Sequence, residues 1–192
     1  LGMITKEKDG KVKRRLILDC KESGVNKMAV SGGKLQLPRT SDAIDDALYL
    51  MSQCSADHGD TVEWLILDYS DWFYNVPLHP CERPHFTWQY GKHWVAFRTQ
   101  AQGSKNAPLV CGRVAALIAR ITQATFGDQR LRLQLYVDDP CVCVRGTDEE
   151  RSHLMAATIL FWATLGIRLA YKKAARGTDV VWIGAELQLR NQ

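Results

Sequence analysis

Leu131-Arg-Leu-Gln-Leu-Tyr-Val-Asp138-Asp139, then Pro140 and Cys141-Val-Cys-Val144, is the stretch from which the rest of the chain can be ordered. Residues 131–137 alternate apolar and polar, the period of a half-buried strand. Residues 141–144 read as a second strand, which places Asp138 and Asp139 in the tight turn of a β-hairpin. Adjacent carboxylates repel each other, so the pair needs a reason. Ordinary turn chemistry is one, since Asp tolerates turn conformations. A shared divalent cation, hard and oxygen-seeking, is another. A carboxylate far upstream favours the cation. Val62-Glu-Trp-Leu-Ile-Leu-Asp68 reads as a buried strand delivering Asp68 at its end. Phosphoryl transfer on two metal ions needs carboxylates contributed by separate elements.

Composition narrows the class. The chain has 192 residues, 46% hydrophobic and 24% charged, an ordinary globular balance. No run approaches the roughly 20 apolar residues that span a membrane, so no membrane partner is expected. The N-terminus is basic and lacks the apolar core of a signal peptide, although a chain beginning at Leu1 reads as a fragment. Cysteines at 20, 54, 81, 111, 141 and 143 form no C-x-x-C pair and match no zinc template. Most fall in apolar runs, where free cysteine behaves as a small hydrophobe, which suggests a reducing, intracellular setting, cytoplasmic or nuclear. The net charge of +4 is uneven: residues 1–39 hold ten Lys/Arg and four Asp/Glu, a net of +6, which leaves −2 for the rest. A basic arm beside an acidic centre suits a polyanionic substrate, and a merely soluble surface would also produce it.

In chain order, Lys6 to Arg15 and Leu16-Ile17-Leu18 predict two basic strands joined at Asp9-Gly10, a projecting ribbon. Residues 28–39 read as a loop. Residues 41–56 predict a helix capped by Ser41, with Ile44, Ala47, Leu48 and Met51 facing the core. Residues 85–90 and 93–98 predict a hairpin about Gly91-Lys92, with Trp88 and Trp94 as packing residues. Gln100-Ala-Gln-Gly-Ser-Lys-Asn-Ala-Pro108 opens a helix running to about Thr125, with Val110, Val114, Leu117, Ile118 and Ile121 buried. A glycine-rich helix entrance can also hold phosphate. Residues 147–165 are the best-marked helix, with a Thr147/Glu150 capping box and Gly166 at C′. Lys172-Lys173 follow, and residues 180–189 read as a closing strand.

Taken together these motifs resemble the fingers and palm of a reverse transcriptase over about residues 6–189. They are Lys8-Asp9-Gly10 to Asp19, Leu67-Asp68-Tyr69-Ser70-Asp71-Trp72-Phe73, Gln102-Gly103-Ser104-Lys105-Asn106-Ala107-Pro108, Tyr136-Val137-Asp138-Asp139, Leu165-Gly166 with Lys172-Lys173, and Trp182-Ile183-Gly184. The resemblance implies an α+β fold: a palm with a central antiparallel sheet, helices on one face, and a basic β-ribbon in the fingers. It implies fingers at 1–60 and 76–108 and palm at 61–75 and 109–192, with a thumb and an RNase H outside these residues. It implies that Asp68, Asp138 and Asp139 hold two Mg²⁺ ions, with Mn²⁺ as an alternative. One ion would activate the primer 3′-hydroxyl and the other would neutralise leaving pyrophosphate. Lys8 and Arg15 would hold the incoming dNTP, Asp71 and Gln102 would line its pocket, and Lys173 or Lys172 would protonate pyrophosphate. Phe73 stands where such enzymes place an aromatic gate against a ribose 2′-hydroxyl. Trp182-Ile183-Gly184 would begin the primer grip. The implied partners are a primed RNA or DNA template, dNTPs and the remaining segments of a longer polyprotein.

Two residues depart from the family pattern. Ala101 stands where Pro is common, and Pro140 follows Asp139 where it removes a ladder donor. The expected function is RNA-directed DNA polymerisation. A decayed palm that only binds nucleic acid is the alternative, and a palm-type RNA polymerase or nucleotide cyclase is a third reading.

Overall fold

The computed structural model describes residues 2–8 and 11–190. The chain begins with strands β1 (Gly2–Lys8) and β2 (Lys11–Ile17), followed by helices α1 (Val25–Met28) and α2 (Thr40–Ser52) and strand β3 (Thr61–Ile66). Helix α3 (Trp72–Asn75), strands β4 (Thr87–Tyr90) and β5 (His93–Ala96), and helix α4 (Ala107–Phe126) follow. Strands β6 (Leu131–Tyr136) and β7 (Asp139–Gly146) lead into α5 (Asp148–Thr164). Strands β8 (Ala175–Gly177), β9 (Asp179–Trp182) and β10 (Ala185–Gln188) close the chain. It divides into two compact units, residues 1–35 with 71–111 and residues 36–70 with 112–192.

In the first unit β1 and β2 form the expected antiparallel ribbon, with Lys8 opposite Lys11. The Asp9-Gly10 turn and the Lys8 and Arg15 side chains lie outside the described part. The core gathers Leu18, Cys20, Leu78, Phe86 and Ala101, with Trp88 and Phe97 packed against it. The Trp88 and Phe97 rings meet at 5.0 Å, and Tyr74 stacks on Phe97 at 6.3 Å. β4 and β5 pair about Gly91-Lys92 as expected. Trp94 does not pack as expected: it points outward and is 75% exposed.

The second unit is built on a four-stranded antiparallel sheet in the order β6-β7-β3-β8. Cross-strand partners share a face and successive residues alternate. Val62, Trp64, Ile66, Cys141 and Cys143 therefore form one face. They pack with Ala43, Ala47 and Leu50 of α2 and with Val180, Trp182 and Leu187 of the β9–β10 hairpin. On the other face Glu63 accepts from Arg151 of α5 at 3.2 Å. The α+β class and antiparallel sheet are as expected, with one refinement: α5 covers one face, while α2 shares the other with β9–β10.

The buried stripe of α2 is turned by one residue from the expected Ile44, Ala47, Leu48 and Met51. Ala43, Asp46, Ala47 and Leu50 are buried, while Ile44 and Leu48 are 46% and 57% exposed. Asp46 fixes the rotation. Its carboxylate accepts from Arg132 Nε at 2.8 Å and Gln134 Nε2 at 2.6 Å, so its burial is satisfied only on the sheet side. The helix starts at Thr40, and its cap is Arg39, whose backbone N–H donates to Asp42 at 2.7 Å, rather than Ser41.

On α4, Ala107, Leu109, Cys111, Ala115 and Thr122 are buried, while Leu117 and Ile121 are 50% and 41% exposed, which corrects the expected stripe. Polar anchors set the rotation. The Thr122 hydroxyl accepts from buried Trp162 Nε1 at 2.9 Å, and Gln123 Nε2 donates to the Leu131 carbonyl at 2.7 Å. By length and composition this 20-residue helix is apolar enough to cross a membrane, contrary to the reading of the bare sequence. Residues 180–189 are not one strand: they turn back between β9 and β10 at Ile183 (φ 43°) and Gly184 (φ 83°).

Candidate active site

The β3–β7 register decides where the aspartates meet. Ile66 pairs with Cys141, and two further hydrogen bonds extend the ladder. Leu67 N donates to Pro140 O at 3.2 Å and Tyr69 N donates to Asp138 O at 2.7 Å. Asp68 therefore stands directly opposite Asp139, in a position without its own ladder bonds. Such pairs have Cα atoms about 4.5 Å apart and side chains on the same face. Asp139 is thus a strand residue, paired with Tyr136, and the two-residue turn is Val137-Asp138. This corrects the expectation that both aspartates occupy the turn.

The chain holds this end of the sheet from several sides. Ala170 N donates to Asp68 O at 2.9 Å, and Ser70 N donates to Arg168 O at 2.7 Å. Tyr69, buried between these contacts, meets Trp162 edge-on at 5.4 Å. Trp182 Nε1 donates to the Asp139 carbonyl at 3.0 Å. Val137 sits at φ 57°, a conformation that Gly usually supplies at the first position of such turns and that costs a β-branched residue about 1–3 kcal/mol. Pro140 lies in a central strand, and its missing N–H leaves one ladder bond to Leu67 where an ordinary pair makes two.

Electrostatically the site is crowded with negative charge. Burial raises the Asp139 carboxyl to about 6, and the charges of Asp138 and Asp68 push the same way, against the opposing pull of Lys173. Lys173 Nζ forms an ion pair with Asp68, whose side chain is only 16% exposed. Among the described residues no three His, Cys, Asp or Glu side chains are gathered closely enough to ligate an ion. The donor set nevertheless suits one: all are hard carboxylate oxygens at one sheet end, and the raised Asp139 marks charge that a cation would neutralise.

The family of "Reverse transcriptase (RNA-dependent DNA polymerase)" matches residues 4–187 by its sequence profile. The chain belongs to the reverse transcriptase family. Three solved foamy virus structures share the fold. A protease–reverse transcriptase dRH in complex with double-stranded DNA is 18% identical with a TM-score of 0.61, covering 97% of this chain and 29% of that one. A prototype foamy virus protease–reverse transcriptase CSH mutant is 16% identical with a TM-score of 0.63, covering 98% and 22%. A protease–reverse transcriptase with double-stranded DNA is 16% identical with a TM-score of 0.61, covering 97% and 34%. The chain thus spans between 22% and 34% of the length of these solved chains. No curated protein matches it.

The site residues read from sequence divide between the units. Asp68, Asp138, Asp139 and Lys173 lie in the second, and Asp71, Phe73 and Gln102 lie in the first with Lys8 and Arg15. Asp71 is exposed, precedes α3 at φ 52°, and accepts from Tyr74 N through its carbonyl at 2.8 Å. Phe73 and Gln102 are half-buried, and the Gln102 carbonyl accepts from Leu18 N at 3.3 Å. Sequence reasoning missed the segment 168–170, because backbone clamps leave no side-chain signature, and it gave Trp182 only to the primer grip, not to the Asp139 carbonyl.

The raised Asp139 predicts a pH dependence. Its folded value of about 6 lies above the ordinary 3.8, so between these values the folded state holds more protons than the unfolded state. Stability therefore falls as pH rises through this window and stays lower above it. Asp139→Asn is expected to raise stability at neutral pH by about 1 kcal/mol, discounted for its half exposure. It should also flatten the decline in the window. Urea unfolding on both sides of the window measures both effects.

Proposed function

We propose that the chain catalyses template-directed nucleotidyl transfer as an RNA-directed DNA polymerase. The observation that supports this best is Asp68 opposite Asp139 across the β3–β7 ladder, with Asp138 on the adjoining turn. Asp68, Asp138 and Asp139 would hold two Mg²⁺ ions. When bound, these ions supply the positive charge that activates the attacking 3′-hydroxyl and stabilises the leaving pyrophosphate. The ion pair between Lys173 and Asp68 puts an ammonium where positive charge is most needed while no cation is bound. Once freed from Asp68, Lys173 holds a proton at Nζ for the pyrophosphate oxygen. Lys8 and Arg15 bind the triphosphate, Arg in two-pronged fashion and Lys as a point charge. Asp71 and Gln102 line the nucleotide pocket, with the fingers at 1–60 and 76–108 and the palm at 61–75 and 109–192.

Phe73 excludes a 2′-hydroxyl by bulk in this reading. Phe73→Val is expected to improve rNTP use relative to dNTP by about tenfold or more, measured as a ratio of kcat/KM values. The reading as a whole is tested by Mg²⁺-dependent dNTP addition to a primed RNA template. No extension with dNTPs, or robust extension with rNTPs alone, would overturn it.

A further inference from the structure

The first unit holds a surface that the nucleotidyl-transfer site does not use. In the β4–β5 hairpin, Trp88, Tyr90, His93 and Val95 share one face, and Thr87, Gln89, Trp94 and Ala96 share the other. The first face is rooted in the core through Trp88. The second is exposed along its whole length, with Trp94 at its centre 75% exposed and Gln89 directly opposite. Tyr90 is 73% exposed at the tip. Two large aromatic side chains at the end of a two-stranded ribbon add little to its stability when left in water.

Charge says what fits there. The chain has 21 Asp and Glu, yet none lies between Arg83 and Gly127. In sequence around the hairpin this stretch supplies Arg83, Lys92 and Arg98, together with His85 and His93. The first unit as a whole holds 13 Lys/Arg against 6 Asp/Glu, a net of +7; the second holds 12 against 15, a net of −3. Glu82 lies in the segment 80–86 that packs on β5, but the unit as a whole is net cationic, and an exposed indole on a cationic unit is the pattern of a stacking platform for an unpaired nucleic-acid strand.

We propose that the open face of the β4–β5 hairpin binds single-stranded RNA or DNA. Trp94 stacks on a base, Gln89, whose Nε2 donates to the Gly91 carbonyl at 3.1 Å, offers its amide oxygen to a base edge, and Lys92 and Arg98 engage flanking phosphates. This deepens the polymerase reading by giving the unpaired part of a template a second contact. It is measured as binding without catalysis, so the two readings fail separately.

The test is fluorescence anisotropy of a labelled oligo(dU) or oligo(U) strand, with a blunt duplex as control. Trp94→Ala is expected to weaken single-strand binding about tenfold and leave duplex binding unchanged, with Trp94→Phe retaining most of the affinity. Lys92→Ala should lower the slope of log K against log salt by about 0.7. Because Trp94 is exposed, the circular dichroism of these variants should match the parent. Unchanged single-strand affinity in Trp94→Ala would overturn the proposal, and so would an equal loss for duplex. Sedimentation without nucleic acid covers the competing occupant. If Trp94→Ala dissociates an oligomer and spares oligonucleotide binding, the face belongs to a protein contact and the proposal fails.

Discussion

Asp68→Asn is expected to slow Mg²⁺-dependent dNTP addition to a primed RNA template by about a thousandfold or more. The substitution keeps side-chain volume and removes one charge. The Asp68 backbone stays held by Ala170, and the ladder bonds at Leu67 and Tyr69 flank it on either side. Lys173 loses its partner but is 57% exposed, so water can solvate its ammonium and the fold should survive. The loss therefore reports chemistry rather than unfolding, provided that the variant's circular dichroism matches the parent. Activity within about tenfold of the parent would remove Asp68 from the reaction.

Gly103→Ala carries the largest expected cost in stability. Gly103 sits at φ 107°, and an added Cβ would lie 2.2 Å from the Leu18 carbonyl oxygen. That oxygen belongs to a backbone that cannot easily yield. Leu18 N donates to Gln102 O at 3.3 Å, and Asn26 Nδ2 donates to the Gly103 carbonyl at 2.9 Å. The other end of the Asn26 amide accepts from Lys105 N at 2.8 Å. Strained backbone and backbone clash together should cost about 3 kcal/mol or more, read from urea unfolding. Gly166→Ala is the control. Gly166 also has a positive φ, 78°, but nothing lies within 4 Å of its Cβ position, so the cost there should be nearer 1 kcal/mol. Equal losses at the two positions would show that the Leu18 contact is not what fixes Gly103.

What the sequence made legible was local. The Thr147/Glu150 capping box and the C-terminal Gly166 of α5 are written in four-residue patterns, and both stand where read. The β6–β7 hairpin was visible in its alternation, but its turn was placed one residue late. A positive φ at Val137 contradicts every local preference of a β-branched residue. Helix rotation was less legible. Ile44, Leu48, Leu117 and Ile121 look like core side chains, yet Asp46, Thr122 and Gln123 set the faces through partners 8 to 86 residues away in sequence. Trp94 read as core because nothing local distinguishes an exposed indole from a buried one.

The candidate site was legible only through the assembled motifs. Asp68 and Asp139 are 71 residues apart, and neither strand alone predicts their register. The pairing of Leu67 with Pro140 and Tyr69 with Asp138 brings them opposite each other. The engagement of Lys173 with Asp68 was not foreseen, since the residue was read only toward pyrophosphate. It follows from the same physics: a largely buried carboxylate among others attracts a nearby ammonium.

Anomalous scattering from Mn²⁺, in crystals grown with a primed template and dNTP, tests the central claim most directly. The account predicts strong peaks within about 2.5 Å of Asp68 and Asp139 carboxylate oxygens, with Lys173 withdrawn from Asp68. Peaks absent from that end of the β3–β7 ladder, with the Lys173–Asp68 ion pair intact beside bound dNTP, would contradict it.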